Sequence, residues 1–287
     1  MKALKDYKLI DIHYHAAPDL YQRRLNAIEA GQCYQAHDAA VVLKSHLGST
    51  SVQATLCQSL GLPVLPSLVL NHVSGGIDFR VIIQALAEYN PLINCKMIVH
   101  FPTITGRNFQ SRLPRQLTNP ALNSQTLTAE TLFDDRLQLK KQAIDVLKMS
   151  KDHPIVLSTG HASRSETYQL IEACIKYNVS SLLLNQPAHP LMDLEAGELK
   201  EIVQNDFIWI EQTLLTYLLG HQSKADFVDV LSHVPNLIYS SDLGQTNQMD
   251  INTWMTFSNN LFDELQIKPE RKDDICRNNA VRMLTIY

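Results

Sequence analysis

Histidines and acids stand along this chain at intervals that suit a metal centre. Residues 8–20 read KLIDIHYHAAPDL, a short apolar run that ends in His13 and His15. On a β-strand, residues two apart face the same way. Both imidazoles should therefore project together with Asp11, while Ile12 and Tyr14 face the opposite side. Paired neutral imidazoles suit one shared metal ion; the plainer alternative is a buried pair hydrogen-bonded to Asp11. Comparable groups close the other apolar runs: Lys44 and His46 in VVLKSH, Asn71 with His72, then His100, and His161 in STGHAS. Asn185 with His189, Glu211, and Asp242 in SSDLGQ complete the set. So many imidazoles and carboxyls gathered without a cation would carry a heavy desolvation cost, which a divalent ion offsets. One or two ions are expected, zinc first, with manganese or iron as alternatives. His37, His153, His221 and His233 fall in helical or loop sequence rather than at strand ends.

Positioning these groups requires a repeating scaffold. Strand-like runs lie at 8–13, 39–44, 64–70, 96–100, 154–159, 180–185, 206–211 and 236–241. Between them, stretches such as IDFRVIIQALAEYN and SETYQLIEACIKYN repeat apolar residues at helical spacing. Continuous apolar strands alternating with amphipathic helices indicate a parallel sheet covered by helices. Eight repeats favour a single (β/α)8 barrel across residues 1–287, with chemistry at the C-terminal strand ends. Residues 101–134 interrupt the rhythm after the fourth strand with a long polar stretch, read as a lid over that face. The tail DDICRNNAVRMLTIY reads as a closing helix.

Several classes are excluded. The 287 residues carry a formal net charge of −4, which recommends neither nucleic acid nor a membrane surface as partner. No run reaches membrane-spanning length and MKALKDYKLIDIHYH lacks a signal-peptide pattern, so the expectation is a cytoplasmic protein. The five cysteines are scattered without C-x-x-C spacing, as expected of reduced core thiols. Glycine-rich dinucleotide and P-loop signatures are missing from the sequence.

DIHYHAAPD, VVLKSHLGST, STGHAS, SSDLGQ and the terminal RNNAVRML together resemble the amidohydrolase superfamily of metal-dependent barrel hydrolases. More narrowly they resemble an amidohydrolase-like domain family of unknown function. The resemblance implies His13 and His15 as ligands of a first metal, His161 and His189 as the histidines of strands five and six, and Asp242 as the aspartate that binds metal and handles the proton. The superfamily's bridging lysine or glutamate follows strand four, where this chain has His100. Lys44, on strand two, is read either as a carboxylated bridge or as a charged group for a substrate oxyanion. His46 joins the ligand set, and Glu211 is read as a ligand or as a group orienting a histidine. Asn185 competes with His189 for the strand-end position.

The expected function is attack of activated water on a small amide, lactone or ester, with Asp242, His189 and Lys44 catalytic. His72, His100, Arg23 and Arg107 are candidate substrate contacts, with Arg24, Arg112 and Arg115 nearby, which suits an anionic substrate. Asp19 is expected to order its loop or pair with Arg23. The alternatives are a phosphoesterase of the polymerase-and-histidinol-phosphatase type, a metal-dependent decarboxylase, and a non-catalytic metal-binding barrel. A homo-oligomer is compatible with all of these.

Overall fold

The computed structural model describes residues 2–106, 115–124 and 127–286. Each strand-like run of the sequence forms a strand, and all pair in parallel. They are β1 (Leu9–Tyr14), β2 (Ala39–Leu43), β3 (Val64–Leu65), β4 (Ser67–Val69), β5 (Met97–His100), β6 (Ile155–Ser158), β7 (Leu182–Leu184), β8 (Ile208–Thr213) and β9 (Leu237–Ser240).

Where a single ring of eight strands is expected, the described residues form nine strands laddered as two parallel sheets, ordered β1-β2-β3 and β4-β5-β6-β7-β8-β9. The third run is divided at Pro66, which has no N–H to offer a ladder. β3 pairs with β2, and β4 pairs with β5. At the other seam no ladder joins β9 to β1, but the chain just beyond β9 reaches across. Asp242 donates its N–H to the His13 carbonyl at 2.9 Å, and the His15 N–H bonds the Leu243 carbonyl at 2.9 Å.

Both faces of the strands are apolar, as the continuous runs require. Ile10, Ile12, Val42, Leu65, Ile98, Val156, Leu183, Trp209 and Ile238 share one inner cluster with Met283 and Leu284 of the closing helix α11 (Asn279–Leu284). Alternate residues such as Val41, Val99, Leu157, Leu184, Ile210 and Tyr239 pack in a second cluster with the helices. Asn279 fastens α11 beneath the strands, donating to the carbonyls of Pro235 and Leu237 at 3.0 and 2.8 Å.

Covering helices begin where local chemistry favours it. α1 (Ala27–Ala36) starts at a capping box between Asn26 and Glu29, and α5 (Arg164–Lys176) at one between Ser163 and Glu166. Asp78 caps α3 (Phe79–Glu88) and Asp250 caps α9 (Ile251–Glu264). α2 (Ser51–Ser59), α4 (Lys141–Met149), α6 (Ala196–Ile202), the short α7 (Leu214–Leu218), α8 (Lys224–His233) and α10 (Pro269–Asp273) complete the layer. No described helix is long and apolar enough to cross a membrane.

One expectation about β1 fails. Asp11 does not share a side with His13 and His15, and Ile12 does not face away from the inner cluster. The register with β2 shifts between Asp11 and Tyr14, and such an irregularity reverses the alternation of side chains. Asp11 therefore meets Tyr34 of α1, whose hydroxyl donates to it, while Ile12 stays inside.

Candidate metal centre

His13 and His15 do converge, their Nε2 atoms 3.3 Å apart. The Asp242 carboxylate, carried by the turn after β9, puts Oδ1 3.1 Å from His13 Nε2 and 3.4 Å from His15 Nε2. Asp242 holds a left-handed backbone conformation (φ 51°), as does its neighbour across the site, Gln186 (φ 49°). The Gln186 side-chain amide donates to Asp242 Oδ2, which fixes the carboxylate. Two such unfavourable backbones meeting over one hydrogen bond is the kind of strain that concentrates at functional sites.

Glu211, buried on β8, accepts from Ser240 Oγ at 2.8 Å and sits 2.8 Å from His13 Nδ1. In the neutral ring the proton must lie on Nδ1, pointing at this carboxylate, which leaves a lone pair on Nε2 aimed at His15 and Asp242. Three lone-pair atoms thus crowd within 3.4 Å of one another. A tetrahedral ion with ligand bonds of about 2.0–2.1 Å has ligand–ligand edges of roughly 3.3–3.4 Å. The donor set and its spacing fit one small divalent cation, with a corner left over. Burial alone would raise the Asp242 carboxyl, but His13, His15 and Lys44 together hold it well below the usual carboxylate range. Burial, and then Arg23, drives His15 well below the ordinary imidazole value. Both states favour ligation.

A second group, His15, Asp19 and His46, adjoins the first and shares His15 with it. Here Asp19 is already engaged. Its Oδ1 accepts from Ser45 Oγ at 3.1 Å and from the His46 N–H at 2.7 Å, and its Oδ2 accepts from Arg23 Nε at 2.7 Å. Burial would raise Asp19, yet His46 and Arg23 hold it far below the usual range.

These groups open on a cavity of about 260 Å³. Lys44, His161 and His189 line it, and neither of these two histidines belongs to a three-ligand group among the described residues. Lys44 Nζ donates to Asn185 Oδ1 at 2.9 Å, so Asn185 anchors the lysine while His189 faces the cavity. Burial lowers Lys44, opposed by Glu211, Asp242 and Asp19. His161 and His189 stack with ring centroids 5.5 Å apart. Burial and then His221 push His189 down to about 4. Its Nδ1 accepts from the Leu191 N–H at 3.3 Å, so the neutral ring carries its proton on Nε2.

Other expected contacts lie elsewhere. Arg23 does not line the cavity, because the buried Asp19 carboxylate draws its guanidinium inward; its side chain is 1% exposed. His72 turns outward, 56% exposed beside Glu130, on the short helical turn that follows β4. His100 is buried and does not line the cavity, with Nδ1 2.9 Å from Ser158 Oγ and its ring centroid 6.3 Å from that of His13. Glu211 stands behind His13 rather than in either ligand group. Arg107 and Arg112 fall outside the described residues, whereas Arg115 lines the cavity and lies over the Tyr21 ring at 5.3 Å. Of the lid stretch, Thr103–Gly106 contribute to the lining, and 116–118 bond the loop at 20–22.

His221, which the sequence places in loop or helix rather than at a strand end, lines the cavity 5.8 Å from His189. It follows α7 rather than a strand, so no apolar run pointed to it. Gln186 was also missed; its one signal was its place directly after Asn185 at a strand end.

A family model described as a family of unknown function (DUF6282) matches residues 8–211, which include His13, His15 and Glu211 but stop short of Asp242. No curated protein matches the sequence. Among solved structures, 21 chains match. One is the crystal structure of a probable 2-pyrone-4,6-dicarboxylic acid hydrolase from Acinetobacter baumannii with citric acid bound. It is 13% identical, with a TM-score of 0.55, over 96% of this chain and 98% of that one. At that identity the likeness is one of fold. The family match spans most of the chain, from β1 into β8, and on it this protein belongs to the DUF6282 family of unknown function.

Proposed function

We propose that this protein is a metal-dependent hydrolase of the amidohydrolase type, a single (β/α)8 barrel acting on a small anionic lactone, amide or ester. The observation that carries the reading is the triangle of His13 Nε2, His15 Nε2 and Asp242 Oδ1 at the mouth of a polar cavity, with Glu211 fixing the His13 tautomer. The inner cluster drawn from nearly every strand supports the barrel, and the dicarboxylate lactone named for the structural neighbour supports the substrate class. His13, His15 and Asp242 would hold the cation, zinc in the first instance. A cation there supplies Lewis acidity, lowering the pKa of water and polarising a carbonyl.

The rest falls to the chain's own groups. Asp242, ionised at neutral pH, receives the proton of the attacking water; a carboxyl held so low carries it briefly and passes it to the leaving group. Lys44, held by Asn185, and His189, with its proton on Nε2, offer donors to the oxygen on which charge develops. Arg115 and His221 provide the wall that receives the substrate's own carboxylate. Thr103–Gly106, just after β5, form part of the wall over this pocket.

The test is a panel of lactones, cyclic amides, phosphate esters and aromatic carboxylates, assayed before and after chelation. Hydrolysis of a carboxylate-bearing lactone or amide that chelator abolishes and zinc restores is expected. The Asp242→Asn variant should lower kcat by about 10²–10⁴-fold, the usual range for a general acid–base group. Turnover indifferent to chelator, or confined to phosphate esters, contradicts the proposal.

A further inference from the structure

The two candidate ligand groups differ in one respect that bears on how many ions the site takes. In the first, no arginine or lysine among the described residues forms an ion pair with a ligand atom. In the second, the Arg23 guanidinium does. Its Nη2 forms the ion pair with Asp19 Oδ2 and lies 3.3 Å from His46 Nδ1. Those are two of the group's three ligand-bearing residues, and their facing atoms are only 3.3 Å apart. Both facing atoms are thus already engaged by the guanidinium, and Asp19 Oδ2 accepts from Arg23 Nε at 2.7 Å as well, so neither presents a bare lone pair to an ion.

Charge argues the same way. His13, His15 and Asp242 offer two imidazoles and one carboxylate that no arginine or lysine pairs directly among the described residues, which a divalent ion complements. Asp19 is already neutralised by an arginine with 1% of its side chain exposed, itself at 0%. Two like charges in so dry a place repel strongly, and arginine, unlike lysine, does not shed its proton to relieve the conflict.

We propose that Arg23 occupies the place of a second cation, so that the centre binds one divalent ion per chain. This rests on the metal reading above. Arg23 is then a positioning residue. It keeps Asp19 ionised and out of coordination, and Asp19 in turn faces His15 Nδ1 at 3.8 Å, behind the imidazole whose Nε2 meets the first ion.

Equilibrium dialysis against zinc, with metal counted per folded chain, tests this on wild type, Arg23→Met and Arg23→Lys. One equivalent is expected for wild type and Arg23→Lys, and two for Arg23→Met. Adding His46→Ala to Arg23→Met should return the count to one. Two zinc ions in wild type, or one in a folded Arg23→Met protein, overturns the inference while leaving the metal reading intact. No zinc in wild type overturns both. Because Arg23→Met buries an unpaired carboxylate and can fail to fold, wild type saturated with manganese is also examined by electron paramagnetic resonance. The spectrum of isolated ions is expected, and a spin-coupled pair would refute single occupancy.

Discussion

At the scale of single residues, the centre depends on which nitrogen of each ring carries its proton. Glu211 decides this for His13 from 198 positions away in sequence. A carboxylate behind a ligating imidazole orients the ring and raises its basicity, and losing such a partner costs about 10–100-fold in metal affinity. Glu211→Gln should weaken zinc binding by that factor in a competition with a fluorescent chelator, with little change in the far-ultraviolet dichroism. Affinity equal to wild type would mean that His13 needs no partner. The H-x-H pair was legible in sequence because a strand's alternation puts both rings on one side. Glu211 as an orienter of a histidine and Asp19 as a partner of Arg23 were among the sequence alternatives, but which alternative holds, and that the guanidinium is buried, is set by contacts that only the fold creates. Arg23 illustrates the difficulty: as a loop arginine near the site it looked like a substrate contact, and a buried carboxylate four residues earlier turned it inward.

At the scale of elements, the seam between β9 and β1 positions Asp242 against the two histidines. Gly244 allows it. Its φ is 123°, and a Cβ there would lie 1.9 Å from the His15 carbonyl oxygen. Gly244→Ala should therefore lower stability by at least about 1–3 kcal/mol, the cost of forcing a side chain into such a backbone. It should also weaken zinc binding, since the turn that carries Asp242 must shift. Thermal unfolding with and without zinc checks both effects; an unchanged midpoint would show that the seam tolerates the movement. Each strand was visible beforehand as an apolar run, and several helices as stretches with apolar residues at helical spacing. Two local departures were not anticipated. Pro66 divides one run into two strands, and the shift after Asp11 reverses the facing of β1, because alternation predicts side only while the ladder stays regular.

For the whole molecule, the helix-packed shell is expected to keep its thiols reduced and inert. Burial raises Cys95, Cys174 and Cys276 from 9.0 to about 12. These raised values favour the folded state below pH 9, and that contribution is lost as pH climbs towards 12. Native protein at pH 8 should therefore show all three unalkylated by iodoacetamide in peptide mass spectra, with all five cysteines modified after denaturation, and stability should fall above pH 9. Rapid native labelling of Cys95 or Cys174 would contradict the packing described. The same enclosed body brings β1 and the turn after β9 together, and on that meeting the functional reading depends. Anomalous diffraction from crystals soaked in zinc at neutral pH tests it most directly. The account predicts one strong peak within bonding distance of His13 Nε2, His15 Nε2 and the Asp242 carboxylate; no peak there, or zinc bound only by surface histidines such as His72 or His233, would contradict it.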